Sequence, residues 1–294
     1  MSRPGRALHD PAKAKWPAIM LQVGDALGAS REEVLEAATA VEFIIGALDI
    51  IDDIVDEELD PDLAVGRCLN ATLALLALAE VVTLRLSQRL SPSRADLFRG
   101  AVQEGVAAAT TGEDLDILFE QDQNVDETAA LDMTSRKSGS LVAMAFRAAA
   151  SLATEDAAVL DGLAELGRRV GIIYQLQNDA DACTQEGARS TSDLRLRKKT
   201  LPVAYALQCA RTEAKREFLA LFEPSSGPLD SSQLAEAQQY IAECGALHYT
   251  WTVCQAVREQ AEAQLMAMEA LIGSTTAAAL KSLIPSVRAM TRIG

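Results

Sequence analysis

The chain has 294 residues, with 27 Lys or Arg against 42 Asp or Glu, a formal net charge of −15, and 49% hydrophobic residues. A sizeable core is easy to bury, and the negative charge argues against a phosphate backbone as main partner, so no nucleic acid is expected. No apolar run reaches the ~18 residues of a transmembrane segment, residues 1–10 lack a signal peptide's apolar stretch, and Cys68, Cys183, Cys209, Cys244 and Cys254 contain no CxxC, so they read as reduced thiols of a cytoplasmic protein.

Ala, Leu, Glu and Arg dominate the chain, aromatics are 4%, and no period-2 run rich in Val, Ile and Tyr stands out. The texture is therefore all-α. Helices are predicted over 13–27, 31–59, 64–89, 92–121, 126–153, 156–184, 200–210, 212–222, 231–243, 246–272 and 275–290. Long helices on short links suit one large bundle, a single domain over 1–294. Residues 224–228 are the best candidate boundary, but the C-terminal segment beyond them is too small and plain for a second domain. With His9 and His248 as the only histidines, His-based metal and triad chemistry is not expected.

The sharpest feature is Asp52-Asp53-Ile54-Val55-Asp56-Glu57-Glu58, after the nearly uncharged stretch 43–48. Asp52 and Asp56 are one helical turn apart and point the same way, with Asp53 beside them. Like charges at that spacing repel unless a cation sits between them. Such oxygen clusters suit Mg²⁺, which takes a carboxylate or two and fills its shell with water and phosphate oxygens. A solvated acidic helix end gives the same pattern. The apolar lead-in favours a metal at the mouth of a pocket.

A second cluster is Gln175-Leu176-Gln177-Asn178-Asp179-Ala180-Asp181, again after an apolar stretch. Gln175 shares a helix face with Asn178 and Asp179 by spacing. Downstream comes Asp193-Leu194-Arg195-Leu196-Arg197-Lys198-Lys199-Thr200-Leu201-Pro202. Acids followed by bases make sense around a metal–diphosphate, with carboxylates on the metal and Lys or Arg on the remaining oxygens. A surface basic patch is the plainer alternative. A third element, Arg136-Lys137-Ser138-Gly139, places Lys137 inside a helix, where on its own it would be an ordinary surface lysine.

In series, Asp52–Glu57, Gly112-Glu113, Lys137-Ser138, Gln175–Asp179, and Ser192–Arg195 running into Lys198–Pro202 resemble the polyprenyl synthetase (trans-isoprenyl diphosphate synthase) family, over roughly residues 12–210. The resemblance implies an isoprenoid synthase-type helical bundle around a deep central cavity, and a cytoplasmic homodimer. It also implies three Mg²⁺ bridging two acidic motifs to an allylic isoprenyl diphosphate, whose ionisation gives a carbocation that an acceptor attacks. On that reading Asp52, Asp53 and Lys198 are catalytic. Asp52, Asp53, Asp56, Asn178 and Asp179 hold metal, and Lys137, Gln175, Lys198 and Thr200 bind diphosphate. Ala47 and Leu48 stand where bulky residues in the family floor the cavity, so the floor is expected to be open to long donors.

The departures from the family pattern are informative. Its second motif, Asp-Asp-x-x-Asp, reads Asn178, Asp179 and Ala182 here, with Asp181 one residue off register and Glu186 a further candidate ligand. Its isopentenyl diphosphate site should carry basic residues. Here Lys13 survives, Trp16 takes an arginine position, Ile45 a histidine position, and Pro61-Asp62-Leu63 an Arg-Arg-Gly; Lys15 and Arg67 are the cations that could compensate. The expectation is a Mg²⁺-dependent prenyltransferase whose acceptor, otherwise unknown, is not isopentenyl diphosphate. The alternatives are a class I terpene cyclase derived from the family and a non-catalytic subunit of a synthase heteromer.

Overall fold

The computed structural model describes residues 15–122, 124–184, 192–212, 215–223 and 227–287. Among the described residues all regular structure is helical. The helices run Lys15–Leu27, Arg31–Val55, Val65–Ser87, Pro92–Gln121, Glu127–Thr134, Ser140–Ser151, Ala157–Ala182, Ser192–Arg195, Leu201–Thr212, Arg216–Leu221, Ser231–Glu243, Ala246–Ile272 and Ser274–Lys281, with a π-helical turn at Ser135–Gly139. The predicted 31–59 helix stops at Val55. Asp56 caps it, and Glu57 turns left-handed at φ 55°. Five acids crowd this end and its last turn has no base, so the negative pole of the helix dipole opposes continuation. The predicted 126–153 helix is one segment whose register widens at the π turn. The short Ser192–Arg195 helix was not predicted; four residues carry too little periodicity to read.

Contacts divide the chain into two compact units. The first holds residues 1–105, 142–167 and 264–283. In it Arg31–Val55 packs against Lys15–Leu27 and Val65–Ser87, and Ser274–Lys281 packs on Lys15–Leu27. Val34, Ala37, Ala38, Val41, Ile44 and Ile45 are buried on the Arg31–Val55 helix. Gly24 admits Val34, since a β-carbon there would stand 2.5 Å from the Val34 Cγ2.

The second unit holds residues 106–141, 168–263 and 284–294. Its core joins Leu194, Val203, Leu207, Phe218, Phe222 and Ile241. Leu201–Thr212 is its hub, packing on Glu127–Thr134, Arg216–Leu221 and Ser231–Glu243. Pro202 sits in the first turn, where a missing N–H costs nothing. Asp230 caps Ser231–Glu243 through a capping box with Gln233; this pair of reciprocal bonds satisfies N–H groups the helix leaves orphaned.

Val65–Ser87 corrects the expectation about membrane-length segments. It is long and apolar enough to cross a membrane by length and composition, although only 22% of its most apolar window is buried. Asn70, Thr72, Glu80 and Thr83 interrupt the run without lowering its average enough to matter. Its inward face is small and partly polar (Cys68, Thr72, Ala79, Thr83). Leu69, Leu73, Leu76 and Leu84 are exposed. With Val65 they fall in one stripe about 100° wide at 3.6 residues per turn, while Leu78 and Val81, also exposed, lie outside it.

Candidate active site

In the first unit the acidic motif ends the Arg31–Val55 helix. The Asp56 N–H donates to the Asp52 carbonyl at 2.8 Å, so the two residues keep the one-turn spacing predicted for them. Asp52 and Asp53 are partly exposed and Asp56 is buried. Burial, then the charges of Asp52, Glu58 and Asp56, pushes the Asp53 carboxyl up to about 6. One turn earlier stands Asp49, which the sequence reading passed over. Burial and then Asp52, Asp53 and Glu42 push it up to about 7, although solvent reaches it. Its i, i+3, i+4 spacing to Asp52 and Asp53 was the available signal.

Of the proposed cavity pair, Ala47 is 1% exposed and Leu48 is partly exposed. Ile45, at the family's histidine position, is 3% exposed and belongs to the core. Trp16 is partly exposed, and Pro61, Asp62 and Arg67 are exposed. Lys13 and Glu186 lie outside the described residues, as does the side chain of Lys15.

The second unit assembles the remaining motif residues. Lys137 lies in the π turn Ser135–Gly139, a helix defect found often at functional sites. Its ammonium pairs with Glu113 Oε2 at 2.6 Å and Asp116 Oδ2 at 2.8 Å. The Lys198 ammonium approaches the same Asp116 oxygen at 3.4 Å and Asp193 Oδ1 at 3.7 Å. Lys198 follows a tight turn in which Arg197 is left-handed (φ 62°), with the Lys198 N–H donating to the Asp193 carbonyl at 2.9 Å. Arg197 is anchored by its Nε donating to the Leu221 carbonyl. Thr200 is buried. Lys199 points away from this cluster's carboxylates; its ammonium donates to the Glu120 and Arg197 carbonyls, each at 3.2 Å, and burial pulls its pKa down to about 8.

Ser138 Oγ donates to Gln175 Oε1, and Gln175 Nε2 to Asp179 Oδ1, both at 2.8 Å. Gln175 therefore meets both the lysine-bearing turn and the second acidic motif. Asp179 is 1% exposed. Burial, then the charge of Asp193, pushes its carboxyl up to about 8. Its Oδ2 is buried with no hydrogen-bond partner among the described residues. Asn178 is exposed and Asp181 partly exposed; at i and i+3 they share a face from which Asp179 is turned away. The off-register Asp181 thus joins Asn178.

No three Asp, Glu, His or Cys groups converge at ligand spacing among the described residues. Mg²⁺ does not require such a cage, since one or two carboxylates with water and phosphate oxygens complete its octahedron. The acids with raised carboxyl pKa values at 49–56, and the orphaned oxygen of Asp179, are groups that a divalent cation would satisfy. Asp116 and Glu113 were the residues whose role sequence reasoning missed. Gly112-Glu113-x-x-Asp116 puts the glycine and both acids on one helix face, which was the readable sign.

A family model for polyprenyl synthetase matches residues 3–241. The (2E,6E)-farnesyl diphosphate synthase of Mycobacterium tuberculosis is 27% identical over 248 residues, covering 79% of this chain and 67% of that protein. The tryptophan prenyltransferase ComQ of Bacillus spizizenii is 29% identical over 174 residues, 59% of each. Among solved structures, a putative geranylgeranyl pyrophosphate synthase from Corynebacterium glutamicum superposes with TM-score 0.80 at 23% identity, covering 95% of this chain and 85% of that one. The chain belongs to the polyprenyl synthetase family, whose members are prenyl-transferring enzymes, and it has their all-α fold.

Proposed function

We propose that this protein is a Mg²⁺-dependent prenyltransferase that ionises an allylic isoprenyl diphosphate and passes the prenyl group to an acceptor other than isopentenyl diphosphate. The observation that carries the diphosphate reading is the meeting of Lys137 and Lys198 at one buried carboxylate in a chain of net charge −15. Two ammonium groups donate charge-assisted hydrogen bonds to a leaving diphosphate and stabilise the charge that develops as the C–O bond breaks. Ser138, Gln175 and Thr200 set the polar surround. Asp52, Asp53 and Asp56 would hold Mg²⁺ at the first motif, and Asn178 with Asp179 or Asp181 at the second. Bound Mg²⁺ supplies Lewis-acid assistance to diphosphate departure.

The acceptor reading rests on charge. A second diphosphate needs several charge-assisted bonds, each worth roughly 1.5–3 kcal/mol. Where the family supplies bases, the chain has Trp16, Ile45, Pro61 and Asp62, and Arg67, near Pro61 and Asp62 in sequence, is exposed. The likeness to a tryptophan prenyltransferase favours an aromatic or peptide acceptor. We read the two compact units as one catalytic domain. The exposed leucine stripe on Val65–Ser87 supports a homodimer, since each such side chain fully buried contributes ~1.5–3 kcal/mol.

The test is incubation with Mg²⁺ and ten-, fifteen- or twenty-carbon allylic diphosphates, with and without isopentenyl diphosphate, and then with indole or tryptophan-containing peptides. Prenylated acceptor without elongated product is expected. Elongation at rates typical of diphosphate synthases would overturn the acceptor assignment, and cyclised hydrocarbon from the donor alone would indicate a cyclase.

A further inference from the structure

Asp116 is an unusual residue to find at a site for an anion. It is 3% exposed, on the Pro92–Gln121 helix, and a single oxygen, Oδ2, meets both Lys137 and Lys198. Its other oxygen, Oδ1, is buried with no hydrogen-bond partner among the described residues. Burial alone would neutralise such a group. The two lysines more than offset it and hold the carboxyl below its ordinary value, so Asp116 is a fixed anion. Glu113, one turn earlier, differs from it. It pairs with Lys137, whereas one Asp116 oxygen meets both lysines.

Two ammonium groups drawn to one point repel each other unless an anion stands between them. In water a lysine on a four-carbon stem has wide rotational freedom, and ordering it costs conformational entropy. A buried carboxylate touching both removes the repulsion and the freedom together. The cost is a negative charge close to where another anion must bind.

We propose that Asp116 is a positioning residue: its buried carboxylate clamps the Lys137 and Lys198 ammonium groups in the spacing that grips a diphosphate. The inference rests on the diphosphate reading of those lysines given above. It predicts a sign opposite to that of simple charge. Deleting a negative charge beside an anion site should tighten anion binding. Deleting a clamp should loosen it.

The experiment is calorimetric titration of the full chain with inorganic pyrophosphate in excess Mg²⁺. Asp116→Asn is expected to weaken binding tenfold or more, the scale on which residues that orient ligating groups act, ~10–100-fold. Glu113→Gln, which leaves Asp116 between the two lysines, is expected to weaken pyrophosphate binding less than Asp116→Asn does. In a double-mutant cycle, Lys198→Met should cost much less in the Asp116→Asn background than alone, because the lysine there is already misplaced. If Asp116→Asn loses its cooperative melt, Asp116→Glu is read in its place; it keeps the charge but lengthens the arm, and weaker binding than wild type is again expected. Wild-type or tighter binding by the folded Asp116 variant overturns the clamp. Failure of the wild-type protein itself to bind pyrophosphate with Mg²⁺ overturns instead the diphosphate reading on which it rests.

Discussion

A β-carbon on Gly112 would stand 2.2 Å from the backbone nitrogen of Lys137. The glycine is what lets the Pro92–Gln121 helix lie against the π turn closely enough for Glu113 and Asp116 to reach the Lys137 ammonium. Propensity alone would favour alanine in a helix by about 1 kcal/mol. Because the clash is with backbone, Gly112→Ala is expected instead to destabilise, by ~1–3 kcal/mol as overpacking does, and to lower turnover. Urea unfolding of the variant decides it; a raised midpoint would show that the turn yields.

The acids of the first motif predict an unusual pH dependence. Asp53 and Asp49 have carboxyl values raised to about 6 and about 7, and Asp179 to about 8. A raised carboxyl binds its proton more tightly folded than unfolded. The stability it contributes is fully present below the unfolded value, near 4, and is lost as pH rises through the folded value. Metal-free protein should therefore melt higher at pH 5 than at pH 8, and Mg²⁺ should recover stability at pH 8. Lys199, lowered to about 8, works in the other direction but only above that pH. Asp52→Ala and Asp53→Ala should abolish turnover, while their metal-free melting temperatures at pH 8 equal or exceed wild type. Full activity in EDTA, or a metal-free melting temperature that climbs from pH 5 to 8, contradicts the metal assignment.

Donor length separates two neighbouring positions. Ala47 is packed in the core and Leu48 is partly open. Ala47→Phe should cost ~1–3 kcal/mol by overpacking. Leu48→Phe should fold normally and shift preference from fifteen or twenty carbons toward ten. Competition between donors, read by product mass, checks this; an unchanged preference in Leu48→Phe means the tail runs elsewhere.

Leu73→Lys with Leu76→Lys places two charges on the exposed stripe of Val65–Ser87. Sedimentation of wild type as a dimer and of the double variant as a monomer is expected. A monomeric wild type would remove the homodimer.

Most helix positions were legible because apolar periodicity over long segments is a strong signal. The ends were not. Nothing local in Asp56-Glu57-Glu58 announces a left-handed glutamate, and the stop there comes from summed charge at a helix terminus. The motif residues were legible as types and spacings, but not their partners. Lys137 looked like a surface lysine because Glu113 and Asp116, more than twenty residues away, meet it only after folding. Asn178 and Asp179 were grouped as metal holders by the family's second motif, whereas neighbours on a helix diverge by about 100°. Asp181 then falls in with Asn178.

The π turn at Ser135–Gly139 holds one residue more than an α-helical turn between the same two ends. Deleting any one of its five residues would leave a chain able to continue as an uninterrupted α-helix, with no hydrogen bond lost. It would keep the two flanking helices in their relative orientation while moving the residues of the turn itself, Lys137 among them, onto α-helical positions. A single-codon loss here would thus pass every test of helical content while swinging Lys137 off its carboxylates. Gene comparisons that slide a gap through 135–139 to gain one more matched residue would misplace the same lysine.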